Sequence, residues 1–256
     1  MRVDKFRRRL FLGRALAAGG SFLLAGCDRL SQSEWFTKTL SNAEKLTHAA
    51  QKWIVPRRAM AQEFSEDDLS PEFRSNGTDL PASPAYQALA AKGFVDYRLK
   101  ISGLVAHPAQ YSLAELQALP SRTQITRHDC VEGWSAIGKW QGVQLSQLLT
   151  RAQPAATARY VVFYCADPME GVGAFYYESI DMDDAYHPQT ILAYALNDEP
   201  LPIPNGAPLR VRVERQLGYK MAKYITEIRL VDRFDNIEGG KGGYWEDRGY
   251  EWFAGI

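Results

Sequence analysis

The sequence predicts an α+β fold with a mostly β core and short helices. Tyr97, Leu99 and Ile101 alternate with polar residues, which is the pattern of a half-buried strand. The continuous apolar run over residues 160–164 is typical of a buried strand. Because the helical segments are short and follow no regular strand–helix–strand repeat, we do not expect a parallel α/β sheet.

The first predicted element is a helix over residues 33–53. Apolar residues recur in it at steps of three to five, so they form one stripe along the helix. Pro56 ends this helix, because proline lacks the backbone N–H that the helix needs. Residues 56–93 are rich in proline and contain few apolar runs, which predicts an extended segment that wraps around a core.

From residue 94 onward, predicted strands alternate with short helices. Ser112 and Glu115 form a capping box, the signature of a helix N-terminus, and Pro120 ends that helix. Leucines at 145, 148 and 149 predict a second helix. The remaining predicted strands cover residues 123–130, 209–213 and 224–231. The C-terminal residues 239–253 are rich in glycine and aromatic residues, and we leave open whether they only pack over the core or form a lid or partner surface.

The charge balance differs between the N-terminus and the rest of the chain. The 256 residues hold 30 basic and 30 acidic residues, so the formal net charge is zero. Residues 1–26 contain six of the basic and one of the acidic residues, which leaves 24 basic against 29 acidic residues, a net charge of −5. A mildly acidic body argues against nucleic acid as a partner, since binding phosphates requires a basic surface.

Residues 1–27 are predicted to be an export signal. The apolar run that follows the basic start is too short and too rich in glycine to span a membrane comfortably. Arg8 and Arg9, followed by Leu-Phe-Leu, resemble the twin-arginine motif of proteins that are exported folded. Residues 24–27, Leu-Ala-Gly-Cys, resemble a lipobox, in which Cys27 would carry a lipid. The alternative is a basic, apolar tail with no targeting role.

This interpretation divides the chain into three parts. Residues 1–27 are the twin-arginine and lipoprotein signal, residues 28–69 are a helical spacer, and residues 70–256 are the functional domain. It predicts a periplasmic protein anchored to the inner membrane through Cys27, because Asp28 resembles the signal that retains lipoproteins there.

The segment Arg127–Ser135 carries the clearest chemical signal. Cys130 ends a predicted strand beside Arg127 and His128, whose charges would favour the thiolate. A thiolate is a soft ligand for redox metals. Two alternatives stay open on the residues alone: a buried structural cysteine, or a disulfide between Cys130 and Cys165, as is common in oxidising compartments.

The sequence Cys130-Val-Glu-Gly-Trp-Ser resembles the molybdenum-ligand segment of the sulfite oxidase superfamily. The resemblance is closest to the bacterial molybdopterin-dependent oxidoreductases, the group that includes periplasmic methionine sulfoxide reductases. It implies a sulfite-oxidase-like molybdopterin-binding fold over residues 70–256. It also implies that Cys130 is the protein ligand of molybdenum, with Arg127 and His128 beside the reacting centre.

Further segments resemble the cofactor-binding loops of the same family. Residues 200–210 resemble its second pterin segment, and residues 218–223 resemble its phosphate-binding loop. Cys165 stands where relatives carry a threonine that contacts the cofactor. The resemblance therefore implies that these residues bind molybdopterin: Arg74, Ser75, Cys165, Asn205, Arg210, Met221, Ala222 and Lys223.

The resemblance implies a two-electron oxygen-atom transfer between molybdenum and a small-molecule substrate. The chain has no C-x-x-C-H haem motif, so we expect a separate haem- or quinone-linked electron-transfer partner at the membrane. Two alternatives remain: an enzyme that oxidises sulfite, and a cofactor-free binding lipoprotein with a Cys130–Cys165 disulfide.

Overall fold

The computed structural model describes residues 33–36, 39, 46, 50, 59–170 and 174–256. The chain forms two compact units, Met1–Pro56 and Arg57–Ile256. In the first unit, residues 34–36, 39, 46 and 50 are helical, in agreement with the helix predicted there. The predicted export signal, including Cys27, lies outside the described residues. No helix among the described residues is long and apolar enough to cross a membrane.

The second unit contains short helices and strands in the proportions that the sequence predicts, which confirms the α+β class. Its helices are α1 Pro84–Ala91, α2 Leu113–Gln117, α3 Leu145–Ala152 and α4 Met182–Ala185. Its strands are β1 Arg98–Gly103, β2 Ala109–Ser112, β3 Ser121–Asp129, β4 Ser135–Gln144, β5 Tyr160–Pro168, β6 Phe175–Asp181, β7 Ile191–Leu196, β8 Glu199–Pro200, β9 Arg210–Arg212 and β10 Ile225–Val231.

The strands form two five-stranded sheets. The first has the order β2-β1-β10-β5-β6, and in it only β1 and β10 run parallel. The second has the order β3-β4-β7-β8, with β9 also paired to β7. The main hydrophobic core combines fully buried side chains of the first sheet with those of α3, β7 and β9. A smaller cluster surrounds Trp140 on β4.

The capping box that the sequence predicts is present at the start of α2. The hydroxyl of Ser112 accepts a hydrogen bond from the Glu115 N–H (3.2 Å), and the Glu115 carboxylate accepts one from the Ser112 N–H (2.7 Å). This reciprocal pair satisfies two donors at the start of the helix. The predicted strands within residues 97–101, 123–130, 160–164, 209–213 and 224–231 correspond to β1, β3, β5, β9 and β10.

The segment before residue 94 departs from the prediction in two ways. It contains α1, whose first residue, Pro84, follows the N-cap Ser83; the extended conformation predicted there is wrong for this stretch, because proline at the first helical position fits a helix. Residues 59–69, predicted as part of a spacer, lie within the second unit. There the Phe64 N–H donates to the Ile125 carbonyl (2.9 Å), so this segment packs on β3.

Candidate active site

A cavity of about 200 Å³ lies at the ends of several strands, where loops converge. Cys130, at the turn between β3 and β4, is one of its lining residues. The lining comes from residues 76–78, 130–132, 167 and 169, 176, 218–219, 221, 223, 245 and 250. The cavity therefore joins the predicted metal ligand to the predicted phosphate-binding loop.

Cys130 is presented to the cavity by a tight turn. The Cys130 N–H donates to the Trp134 carbonyl (2.9 Å), and the Gly133 N–H donates to the Cys130 carbonyl (3.0 Å). Gly133 has φ +85°, a conformation that glycine adopts without strain. Partial burial raises the pKa of the Cys130 thiol, opposed by backbone N–H groups and by the charge of Arg74. The thiol therefore loses its proton when a metal binds rather than beforehand.

Arg127 and His128 point to opposite faces of β3, because strand residues alternate. Arg127 is exposed, pairs with Asp129 (Nε–Oδ1 2.9 Å) and is not among the residues that line the described cavity. The arginine whose charge lowers the pKa of the Cys130 thiol is Arg74. This placement gives Arg127 no contact with the cavity.

His128 is completely buried behind the cavity wall. Arg212 Nη1 lies 2.9 Å from His128 Nδ1, and Met221 Sδ lies 3.3 Å from the same atom. Burial, with the charge of Arg212 next, lowers the pKa of His128 well below its usual value, so the ring is neutral. A Cβ on Gly218 would lie 2.4 Å from His128 Nε2. His128 thus supports the backbone of the phosphate-binding loop.

Lys223 forms part of the cavity floor. Its Nζ donates to the backbone carbonyls of Asn76 (2.6 Å), Thr78 (2.6 Å) and Pro204 (2.8 Å). Burial, together with the charge of Arg210, lowers the pKa of Lys223 to about 7. Within the part of the chain that the structure describes, Lys223 has no carboxylate at ion-pair distance.

Arg210 lies directly behind Lys223 and is completely buried. Its guanidinium donates to the carbonyls of Asn205 (3.0 Å) and Met221 (3.3 Å) and lies over the ring of Trp140. Burial lowers its pKa to about 9. Among the described residues its Nε has no hydrogen-bond partner. Arg210 and Lys223 together place positive charge at and behind the floor, and within the described part of the chain neither has a carboxylate at ion-pair distance.

The other predicted cofactor residues lie behind the cavity lining or beside it. Asn205 is buried and its Nδ2 faces the Phe73 carbonyl (3.4 Å), while the Ser75 hydroxyl donates to the Pro204 carbonyl (2.8 Å). These contacts join residues 73–75 to residues 204–205 of the predicted second pterin segment. Arg74 is exposed, with its guanidinium 5.6 Å from the ring centre of Trp134. Of the predicted site residues, Cys130, Met221 and Lys223 line the cavity directly.

Cys165 and Ala222 belong to the hydrophobic core rather than to the cavity surface. Cys165 lies on β5, and burial raises the pKa of its thiol well above the usual value. In the described residues, Cys130 and Cys165 are both free thiols. The alternative of a Cys130–Cys165 disulfide is therefore wrong, and with it the structural basis of a cofactor-free binding protein.

Asp167 is a cavity residue that sequence reasoning missed. It is buried at the end of β5, and burial raises its pKa to about 6. Its Oδ1, like Oδ1 of Asn76, has no hydrogen-bond partner among the residues described. The sequence feature that could have indicated Asp167 is its position, because this acidic residue follows an apolar run and precedes Pro168. The aromatic lining residues Tyr176, Tyr219, Trp245 and Tyr250 were also missed, because they come from separate parts of the chain.

These features fit a polar, anionic ligand with a soft metal attached. Among the described residues, two buried cations have no carboxylate at ion-pair distance and several buried polar atoms have no hydrogen-bond partner, although burying such groups is costly. Gly206 has φ +113°, and a Cβ there would lie 3.0 Å from Lys223 Cβ, so the backbone closes tightly around the floor. One partly exposed thiol completes the set. These features are compatible with a cofactor that carries a negative charge near the cations and a metal that a thiolate can bind.

Comparison with known proteins agrees with this class. The family model described as oxidoreductase molybdopterin binding domain matches residues 87–236. The chain is 38% identical over 251 residues to the putative protein-methionine-sulfoxide reductase subunit YedZ1 of Azospira oryzae, covering 97% of this chain and 87% of that protein. It is 34% identical over 240 residues to the protein-methionine-sulfoxide reductase catalytic subunit MsrP of Burkholderia mallei, covering 90% of this chain and 71% of that protein.

Among solved structures, the chain resembles the sulfane dehydrogenase SoxCD of Paracoccus pantotrophus. The TM-score is 0.50 at 24% identity, over 54% of this chain and 39% of that one, a likeness of fold alone. The chain belongs to the oxidoreductase molybdopterin-binding domain family. The predicted family, the sulfite-oxidase-like fold and the molybdenum–molybdopterin cofactor are thereby confirmed, and the protein is a molybdenum-dependent oxidoreductase.

Proposed function

We propose that this protein reduces the sulfoxide group of oxidised methionine side chains. The observation that carries the proposal is the position of Cys130, a partly exposed thiol at a cavity that is also lined by the buried cation Lys223, with the buried Arg210 behind it. Proteins named as methionine sulfoxide reductase subunits are similar to almost the whole chain, which supports this choice of substrate. In the overall reaction the S–O bond breaks, and two electrons and two protons convert the oxygen to water.

Different residues of this chain would bind different parts of the cofactor. Lys223 and Arg210 would offset the charge of its phosphate, because both are buried cations with no carboxylate at ion-pair distance among the described residues. Cys130 would bind the metal, and Asn205 would fix the loop that closes over the pterin. When bound, the cofactor supplies a metal that exchanges two electrons with the substrate. Asp167, with a pKa near 6, can hold or release a proton inside the cavity at neutral pH.

The experiment uses purified holoprotein with a reduced small-molecule electron donor. A peptide that contains methionine sulfoxide should be converted to the methionine form, with about one molybdenum per chain. A parallel assay with sulfite and an oxidised acceptor separates this function from sulfite oxidation. Cys130→Ser is the control: it replaces the soft ligand by a hard hydroxyl and should abolish reduction while the fold persists. Sulfite oxidation without sulfoxide reduction would reject the proposal.

We further propose that the protein is exported folded to the periplasm and anchored to the inner membrane. The twin-arginine-like pair Arg8-Arg9 and the lipobox-like sequence that ends at Cys27 support this location. Replacing both arginines by lysine keeps the charge and removes the recognised side chains. The cofactor-loaded double variant should accumulate in the cytoplasm, and unchanged export would exclude the folded-export pathway.

An electron-transfer partner at the membrane completes the proposal. Relatives are named as subunits, which supports a partner protein, and we assign it a haem- or quinone-linked carrier. A lipid anchor at Cys27 would raise the effective concentration of that partner. With native membranes, a soluble Cys27→Ala protein should turn over more slowly than the anchored form, whereas both should be equally fast with an artificial donor. Equal rates with membranes would contradict tethered delivery.

A further inference from the structure

The C-terminal segment supplies an aromatic wall at the mouth of the cavity. Trp245 and Tyr250 line the cavity, with ring centres 5.3 Å apart and planes inclined by 31°. Tyr219 meets Tyr250 edge-on, also at 5.3 Å. The match to the family model ends at residue 236, so it does not include Trp245 or Tyr250. We call Trp245 and Tyr250 the aromatic wall.

The exposure of the lining residues separates the mouth of the cavity from its floor. Tyr250 and Val131 are 41% and 44% exposed, and Cys130 is partly exposed, so these residues lie towards solvent. Lys223 and Asp167 are buried. Because the buried end carries the charges that fit the cofactor, a substrate that approaches Cys130 from solvent meets the aromatic wall.

The backbone that carries the aromatic wall is anchored by several contacts. Lys220 Nζ pairs with Glu246 (2.5 Å), the residue next to Trp245, and also with Glu178 on β6. The Tyr219 hydroxyl donates to the backbone carbonyl of Glu251 (2.6 Å), and Glu251 is the residue next to Tyr250. The Tyr250 N–H donates to the Trp245 carbonyl (3.0 Å). Rings that are fixed before binding lose little conformational entropy when a substrate contacts them.

We propose that the aromatic wall determines substrate specificity by binding the methyl and sulfur end of a methionine sulfoxide side chain. This rests on the proposed function. Sulfur and methyl groups pack favourably against aromatic rings. A small hydrated anion gains nothing from such a surface, and Glu132 at the same mouth adds negative charge. The wall thus selects a neutral alkyl sulfoxide over an anion such as sulfite.

The test compares Trp245→Ala and Tyr250→Ala with the conservative Trp245→Phe and Tyr250→Phe. With a methionine sulfoxide peptide, each alanine variant should raise KM about tenfold, equivalent to about 1.4 kcal/mol, and leave kcat within twofold. The phenylalanine variants should stay close to wild type, because they keep a ring. Tyr186→Ala is the matched control, since Tyr186 is also 41% exposed but does not line the described cavity.

Further measurements distinguish a failure of this proposal from a failure of the proposed function. Molybdenum content and thermal unfolding should be unchanged in the alanine variants; lost molybdenum would show that the wall binds the cofactor, which overturns the proposal. An unchanged KM in active, fully loaded variants would also overturn it. If the wild-type protein reduces no sulfoxide, the proposed function fails, and calorimetric binding of the methionine sulfoxide peptide then tests the wall directly. Tenfold weaker binding to the alanine variants than to Tyr186→Ala would support it, and equal binding would reject it.

Discussion

Four buried cations between positions 210 and 223 fall into two classes. Arg212 pairs with Glu214 (2.6 Å), and Lys220 lies between Glu178 and Glu246. Arg210 and Lys223 lie in the same stretch of the chain. In the described structure, however, they donate only to backbone carbonyls. The charges of Arg212 and Lys220 are neutralised by carboxylates of the protein. The charges of Arg210 and Lys223 are not, so they can attract an anionic ligand.

The difference indicates which cations stabilise the fold and which hold a ligand. A buried charge is costly unless it is paired, so paired cations are part of the folded structure itself. The unpaired ones have lowered pKa values because burial disfavours their charged forms. An anionic cofactor would supply the missing partner.

The largest effect is expected from Lys220→Met. It leaves Glu178 and Glu246 buried without their shared cation, and breaking such a group should lower the free energy of unfolding by about 3–5 kcal/mol. Urea unfolding of the cofactor-free protein measures this. The control is Lys92→Met, which changes an exposed lysine. If Lys220→Met lowers the free energy of unfolding no more than this control does, the paired cations do not stabilise the fold.

Lys223→Met should have the opposite signature. It removes a buried charge that has no carboxylate at ion-pair distance among the described residues, together with three hydrogen bonds to backbone carbonyls, so the cofactor-free protein should lose clearly less stability than Lys220→Met does. The purified protein should contain several-fold less molybdenum, because the phosphate loses a charged hydrogen-bond donor. Metal analysis and urea unfolding of the same preparation give both values. Full molybdenum content would remove Lys223 from the cofactor site.

The pH dependence of stability sharpens the role of Lys223. Its folded pKa of about 7 is below the usual 10.5, so the stability present above pH 10.5 is lost as the pH falls to 7. The stability difference between Lys223→Met and cofactor-free wild type should therefore grow by up to about 1.4 kcal/mol per pH unit from pH 10.5 to 7. It should stay constant below pH 7. A slope that persists in the cofactor-loaded protein would contradict phosphate binding by Lys223.

The smallest effect is expected from Cys165→Thr, which extends the comparison to the two cysteines. Cys165 is a buried core residue and Cys130 a partly exposed cavity residue. Threonine is close to cysteine in size, so most molybdenum and sulfoxide reductase activity should remain, with a stability loss of about 1 kcal/mol. If Cys165→Thr is as inactive as Cys130→Ser, Cys165 has a direct role at the cofactor.

The sequence predicted those features that depend on neighbouring residues. The strand alternation around Leu99 and the capping box at Ser112 are local patterns, and both appear as predicted. The contiguous segment from Cys130 to Ser135 was sufficient to indicate the family, and that Cys130 is the metal ligand stays a prediction. The helix α1 was missed because the proline-rich composition outweighed the local signal of Ser83 and Pro84.

Only the tertiary structure decided which charges are paired and what forms the cavity wall. Lys220 meets Glu178 and Glu246 across 42 and 26 residues, and Lys223 meets Asn76 across 147. No local periodicity encodes such distances, because they follow from how the sheets bring loops together. The glycine- and aromatic-rich C-terminal segment was open to several interpretations, and its packing on Lys220 places Trp245 at the cavity. By itself the sequence therefore predicted five of the strands, the cofactor class and Cys130 as the candidate metal ligand, while long-range packing determined the charge near the floor and the shape of the mouth.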